Sequence, residues 1–163
     1  MALRATPAPR VRSAAFARAG AVMAAVLIAD LVTKHFARTI APGESRSVFF
    51  GIHLVHVRNT GVAFNFFSGG GTLVLVFTIV ALAVLLGYFL RRPDKPLLWL
   101  PTGLLIGGAL GNLIDRIANG AVTDFIKLPH WPAFNVADIC ITVGVFALLW
   151  VLEGKRRDER HDE

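Results

Sequence analysis

The stretch PLLWLPTGLLIGGALGNLI, from Pro96 to Ile114, contains 19 residues and no charged side chain. A helix that crosses a bilayer needs roughly 17–25 mostly apolar residues, so this run is long enough to do so. The run ends abruptly, because Asp115 and Arg116 follow it directly. We therefore predict a transmembrane helix over about 96–116, with its polar end near a membrane surface.

Three further apolar runs occur along the chain of 163 residues. The apolar content is 55% and the mean hydropathy is +0.60, whereas an ordinary soluble domain is roughly 45–50% apolar. The first run could be a cleavable signal peptide, but Asp30 inside it favours an uncleaved helix. The sequence thus predicts an all-α integral membrane protein in one domain, 1–163. Its four transmembrane helices are expected at about 14–35, 72–90, 96–116 and 136–153.

The basic residues predict how these helices are oriented. Of the 17 lysines and arginines, 11 lie near the two termini or in the loop 91–95. The positive-inside rule therefore places both termini in the cytoplasm, as tails over 1–12 and 154–163. Topology accounts for the net charge of +6, and no nucleic-acid partner is indicated.

The longest segment outside the predicted helices, about 36–70, lies on the outer side between helices 1 and 2. Its stretch SVFFGIHLVHVRN, 47–59, is rich in β-branched and aromatic residues and partly alternates, which predicts short strands. We expect a small β-rich periplasmic cradle there. The second outer segment, 117–133, is predicted to be a loop that contains a turn at Asn119-Gly120.

The polar residues of the apolar runs all fall at the outer ends of the predicted helices or in the outer segments. One such acid could simply be a helix end that water solvates at the interface. Several at one depth favour a shared polar site, because acids inside a membrane are costly. The residues at this level are Asp30, Asn59, Asn112, Asp115, Arg116, Asp124, Asn135 and Asp138.

Spacing places several of these residues together. Asn112, Asp115 and Arg116 are spaced i, i+3, i+4 and share one helical stripe. Asn135 and Asp138 have the spacing of a capping box at the start of helix 4, which could be a purely structural feature.

Two further spacings concern helix packing and anchoring. Gly103, Gly107 and Gly111 form a stripe that lets another helix approach closely. Asp30 and Lys34 are spaced i, i+4, and we expect an interfacial salt bridge that anchors helix 1.

Two carboxylates in the outer layer, Asp124 and Asp138, suggest a reaction. Like charges that are close together share a proton, so one carboxylate can activate water while the other protonates a leaving amine. The helix start favours Asp138 as the ionised member. His53 and His56 are expected on opposite faces of a strand, and no metal or other cofactor is predicted.

These residues lie in five short blocks that resemble the lipoprotein signal peptidase (signal peptidase II) family of bacterial inner-membrane aspartic peptidases. The blocks occur in the family's order, from the first helix to the fourth. They are DLVTK (30–34), VRNTGVAF (57–64), GGALGNLIDRI (107–117), VTDFI (122–126) and FNVADI (134–139).

The resemblance implies a function and a set of roles. The enzyme would remove signal peptides from prolipoproteins by cleaving just before the lipid-modified cysteine, with Asp124 and Asp138 as the catalytic dyad. The outer segment near Phe64 to Phe67 would cover the substrate. The resemblance also implies inhibition by globomycin-type cyclic peptides, and we expect a monomer. The residues that would bind substrate or support the site are Asn59, Asn112, Arg116, Asn135, Asp115, Asp30 and Lys34.

Two other classes of function have been weighed. A small four-helix proton-coupled transporter would place its acid near the middle of the membrane, whereas the acids here collect at one end. A non-catalytic membrane adaptor would tolerate asparagine at Asp124 and at Asp138.

Overall fold

The structure, a computed structural model, describes residues 9–60 and 70–161. This part of the chain contains four helices and three strands. In chain order they are α1 (Pro9–Ala37), β1 (Ser45–Phe49), β2 (Ile52–Asn59), α2 (Gly70–Arg91), α3 (Trp99–Asn119), β3 (Val122–Lys127) and α4 (Val136–His161).

The first and last helices are longer than the apolar runs that predicted them. The helix α1 already includes Pro9, the first described residue. The helix α4 continues to His161, through most of the segment predicted as a tail. Its last residues are rich in Glu, Lys and Arg, which favour helix without any apolar contact.

The helix α3 packs between α1 and α4, and glycines make both approaches possible. A Cβ added at Gly107 would lie 2.8 Å from the carbonyl oxygen of Met23, so only glycine lets α1 come this close. Gly103 faces α1 in the same way, as the small-residue stripe predicted. On the other side, a Cβ at Gly108 would lie 2.7 Å from the carbonyl oxygen of Ala137 in α4.

The three strands form one antiparallel sheet in the order β1-β2-β3. The prediction that 117–133 is a loop was wrong over part of its length, because β3 lies within this second outer segment. The sequence VTDFIK is too short to show a clear strand pattern, and its pairing with β2 makes it a strand. In the register of this pair, Val57 lies opposite Asp124.

A tight turn joins α3 to β3. Gly120 has a φ of +70°, a left-handed conformation that glycine adopts without strain, and its N–H donates to the carbonyl oxygen of Arg116 at 3.0 Å. This confirms the predicted turn at Asn119-Gly120. The turn brings β3, with Asp124, back against the polar end of α3.

Two segments of the described chain are long and apolar enough to cross a membrane, Val11–Ala37 in α1 and Val136–Glu153 in α4. A shorter apolar segment, Thr78–Arg91, belongs to α2. The helix α3 is not among these segments, and its last two turns carry Asn112, Asp115 and Arg116.

The close approach of α1 and α3 predicts unequal effects for two Gly→Ala substitutions. Gly107→Ala should destabilise the protein by about 1–3 kcal/mol, because the added methyl overlaps the backbone of α1. Gly20→Ala, on α1, meets nothing within 4 Å, so it should leave stability unchanged or raise it by up to about 1 kcal/mol. Thermal unfolding of the detergent-solubilised variants measures both. Equal melting temperatures for the two variants would contradict the packing described.

Candidate active site

A buried lysine lies at the centre of the polar site. Lys34 is 0% exposed, and its Nζ lies 2.7 Å from Asp30 Oδ2 and 3.4 Å from Asp115 Oδ2. It also donates a hydrogen bond to Asn112 Oδ1 at 2.9 Å. The predicted Asp30–Lys34 salt bridge is confirmed, but its placement at the membrane interface was wrong, since both side chains are fully buried. Gly111 makes this burial possible, because a Cβ there would overlap the Asp30 carboxylate.

A second cation from α1 completes this cluster. Arg38 Nη2 contacts Asp115 Oδ1, and Arg38 Nε donates to Thr123 Oγ1 at 3.2 Å. The sequence analysis did not select Arg38. Its spacing could have indicated it, because Asp30, Lys34 and Arg38 are i, i+4 and i+8 on one face of α1.

Asp115 connects the helices to the strand that carries Asp124. Its Oδ2 accepts a hydrogen bond from the main-chain N–H of Thr123 at 2.8 Å, in addition to its contacts with the two cations. The carboxylate therefore fixes the residue directly before Asp124. This contact agrees with the sequence-based expectation that Asp115 braces the site.

Asp30 has a matching role at the start of α4. Its Oδ1 accepts a hydrogen bond from the main-chain N–H of Ala137 at 2.9 Å. A negative charge at the first turn of a helix is favoured by the helix dipole and by its unpaired N–H groups. Asp30 thus fixes the residue directly before Asp138.

The predicted capping box at the start of α4 is confirmed. The main-chain N–H of Asp138 donates to Asn135 Oδ1 at 2.9 Å, and the main-chain N–H of Asn135 donates to Asp138 Oδ2 at 3.1 Å. The remaining oxygen, Asp138 Oδ1, accepts from Asn112 Nδ2 at 2.8 Å. Asp138 is only partly buried, so it remains accessible from outside the helix bundle.

Asp124 lies deeper, between two asparagines. Asn59 Nδ2 donates to its Oδ2 at 2.9 Å, and Asn135 Nδ2 donates to its Oδ1 at 2.8 Å. The residue is 2% exposed. Burial raises the pKa of the Asp124 carboxyl from 3.8 to about 6, and the negative charge of Asp138 contributes to the rise.

Asn135 connects the two carboxylates. Its side chain binds Asp124 and the main-chain N–H of Asp138, and its Nδ2 also lies 3.1 Å from Asn112 Oδ1. A buried carboxyl that tends to keep its proton thus lies beside an accessible one at a helix start. Such a pair can hold a single proton and act as acid and base together.

Most of the residues selected from the sequence meet in this site. Arg116 lies beside it, where its Nη1 donates to the carbonyl oxygen of Asn112 at 3.4 Å. The predicted substrate cover at Phe64 to Phe67 lies outside the described residues. Thr123 is a residue that the sequence analysis missed, since only the fold brings it against Asp115. Within 9–60 and 70–161, no group of three or more His, Cys, Asp or Glu residues has an arrangement that could hold a metal.

The sequence of this chain is similar to those of known lipoprotein signal peptidases. The family described as Signal peptidase (SPase) II matches residues 22–153. The chain is 44% identical to a lipoprotein signal peptidase of Moorella thermoacetica, over 78% of this chain and 87% of that protein. It is 39% identical to a lipoprotein signal peptidase of Cupriavidus necator, over 96% and 95% of the two chains.

The fold of this chain is also similar to those of two solved structures. One described as a bacterial membrane enzyme superposes with a TM-score of 0.74 and 34% identity, over 82% of this chain and 91% of that chain. A second with the same description has a TM-score of 0.77 and 32% identity, over 86% and 90%.

The burial of Lys34 predicts a large loss of stability when it is removed alone. Lys34→Met should cost about 3–5 kcal/mol, because it leaves Asp30 and Asp115 buried beside an uncharged group. Arg46→Met is the control, since Arg46 and Glu44 are exposed and 4.0 Å apart, and it should cost at most about 1 kcal/mol. Unfolding of the purified variants measures the difference. Similar losses for both variants would show that the buried cluster is unimportant for stability.

Proposed function

Because this chain belongs to the signal peptidase II family, whose members are membrane enzymes that remove signal peptides from prolipoproteins, we propose that it is an aspartic endopeptidase of this kind. It cleaves the peptide bond just before the diacylglyceryl-modified cysteine, and Asp124 and Asp138 are its catalytic dyad. One observation carries the assignment: Asn135 holds both carboxylates through its side chain and its main chain.

The two carboxylates have different roles in this proposal. Asp138 is the ionised member, because both of its oxygens accept hydrogen bonds and it lies at a helix N-terminus. Asp124 is the protonated member, because burial raises its pKa to about 6. These opposite environments separate the acid from the base, as the chemistry requires.

The reaction follows from that division. A water between the carboxylates gives a proton to Asp138 as its oxygen attacks the scissile carbonyl. The Asp124 carboxyl donates a hydrogen bond to the carbonyl oxygen as negative charge develops there. When the tetrahedral intermediate collapses, the Asp124 carboxyl gives its proton to the leaving amine and the C–N bond breaks. The proton held by Asp138 then returns to Asp124, which restores the singly protonated dyad.

The surrounding polar residues have supporting roles. Asn112 and Arg116 would hold the substrate backbone, and Asn59 and Asn135 would orient the Asp124 carboxyl. Their contacts with the carboxylates or with the end of α3 support these roles. Asp30, Lys34 and Asp115 would fix the segments that carry the dyad.

The membrane arrangement in this proposal has four crossing helices with both termini in the cytoplasm. The polar ends of α1, α3 and α4 then lie at the periplasmic face of the bacterial cytoplasmic membrane, beside the sheet. A diacylglyceryl group could remain in the bilayer while its cysteine reaches Asp138. The enzyme works as a monomer, needs no cofactor, and is inhibited by globomycin-type cyclic peptides.

The dyad predicts that Asp124→Asn and Asp138→Asn each abolish cleavage of a lipidated precursor, because an amide can neither take nor release the catalytic proton. Asp94→Asn, an exposed acid in the loop before α3, should retain wild-type activity. Cleavage by purified protein in detergent, followed by gel shift or mass spectrometry, measures this. Wild-type rates for either dyad variant would refute the mechanism. A transporter or an adaptor would give no cleavage with any of the proteins, the wild type included.

The raised pKa of Asp124 also predicts a pH dependence. A carboxyl whose pKa is about 6 is protonated below that pH and ionised above it, so the singly protonated dyad declines as pH rises through about 6. The value of kcat/KM should therefore fall as the pH rises above about 6. The corresponding limb of kcat should lie at higher pH, because bound substrate excludes water and further disfavours ionisation. If kcat/KM instead rises through pH 6, Asp124 is the base and the roles are reversed.

A further inference from the structure

We propose that Lys34 is a positioning residue that fixes the direction of the Asn112 amide and, through it, keeps Asp138 ionised for catalysis. Lys34 contacts neither carboxylate of the dyad, and its proposed effect on the protonation of Asp138 passes through the Asn112 amide. The inference rests on the proposed function, because it adds a residue to the same reaction.

The chemistry of the ammonium group fixes the amide. A lysine Nζ carries three donors and no acceptor, so an atom that faces it must be an acceptor. The Asn112 atom 2.9 Å from Lys34 Nζ is therefore its oxygen. Rotating the amide by half a turn would put its NH2 group against the buried cation, which has no water to compensate for the loss.

A second donor fixes the same oxygen. Asn135 Nδ2 lies 3.1 Å from Asn112 Oδ1. The direction of the Asn135 amide is itself fixed, since its oxygen accepts from the main-chain N–H of Asp138 at 2.9 Å. Neither amide can rotate without placing donor against donor, so the two asparagines form a network with a single direction.

This network determines which groups face the two carboxylate oxygens of Asp138. The Asn112 NH2 group lies 2.8 Å from Asp138 Oδ1, and the main-chain N–H of Asn135 lies 3.1 Å from Oδ2. Both groups can only donate. A carboxylate accepts both of these bonds more strongly than a protonated carboxyl does, so the arrangement favours the ionised form.

Charge alone could produce a similar effect, and the experiment must separate the two causes. Lys34 carries a positive charge near the dyad, and its removal would disfavour an anion at Asp138 by simple electrostatics. Removing the charge of Asp30 at the same time cancels this change. The charged or titratable groups that belong to the polar site or lie within one helical turn of Asp138 are Asp30, Lys34 and Arg38 of α1, Asp115 and Arg116 of α3, Asp124 of β3, and Cys140 of α4 itself.

Two charge-neutral double variants differ only in the donor at position 34. In both, Asp30→Asn keeps an oxygen that can accept from the main-chain N–H of Ala137. Lys34→Met removes the donor to Asn112, whereas Lys34→Gln supplies an amide NH2 in place of the ammonium. Both leave Asp115 paired with Arg38.

The Asp30→Asn/Lys34→Met variant (the Met variant) should cleave lipidated precursor with a kcat roughly tenfold to a hundredfold below that of the wild type. Its KM should change little. The acid limb of a pH profile is the range at low pH over which kcat/KM falls as the catalytic base gains a proton. In the Met variant this limb should lie about one pH unit higher than in the wild type, because Asp138 has lost a fixed donor. The Gln double variant should recover the wild-type limb and most of kcat. If the limb stays in place in the Met variant, or moves equally in both variants, the inference is overturned.

A packing variant controls for loss of stability. In Gly103→Ala, the new Cβ would lie 2.7 Å from the carbonyl oxygen of Ala19, away from the polar end of α3. This variant should melt at lower temperature and keep the wild-type acid limb. A shifted limb in Gly103→Ala would mean that instability alone moves the profile, and the inference would fail.

Asn112→Leu decides the matter if the Met variant does not fold. This change keeps the side chain near its original size, adds no charge, and removes the donor facing Asp138. The acid limb should then move to higher pH by about one pH unit, and a limb at the wild-type position would overturn the inference. The proposed function fails separately, if the wild-type protein does not cleave the lipidated precursor at all.

Discussion

The burial of one positive charge is the constraint on which the rest of the site depends. The ammonium group of Lys34 is shielded from water, and an isolated charge there would be prohibitively costly. Asp30, Asp115 and Asn112 compensate for it, and they belong to two helices that must therefore stay in register. The two carboxylates then use their other oxygens on main-chain N–H groups at the starts of β3 and α4. A single buried cation thus fixes four elements.

The same arrangement explains how two aspartates in one site can have unlike environments. Asp124 follows a residue held by Asp115, lies among buried groups, and has a pKa raised to about 6. Asp138 follows a residue held by Asp30 and lies in the first turn of a helix, where it is only partly buried and two donors bind its oxygens. Neither difference requires a metal or another prosthetic group. The proposed division into acid and base follows from burial and hydrogen-bond direction alone.

Much of this could be predicted from local patterns in the sequence. Apolar runs predicted the helices, and the spacing of Asn135 and Asp138 predicted the capping box. The glycine stripe predicted a close helix contact, although it did not show that α1 is the partner. The strand β3 could not be predicted, because its pairing with β2 comes from a distant part of the chain. The burial of Lys34 also depends on partners that are distant in the sequence. An acid and a lysine spaced i, i+4 have the same sequence pattern whether they lie on a surface or in a core, so the spacing alone could not predict the burial. The choice of Asp124 and Asp138 as the dyad came from the family resemblance more than from spacing.

The central claim is that this buried network holds a peptidase site for lipid-modified substrates at a membrane surface. The most direct test uses two precursors of identical sequence, one with a diacylglyceryl group on its cysteine and one without, incubated with the purified wild-type protein. Mass spectrometry identifies any new N-terminus. The account predicts cleavage of the lipidated precursor alone, at the bond just before the modified cysteine. Cleavage of neither precursor, or of both at equal rates, would contradict it.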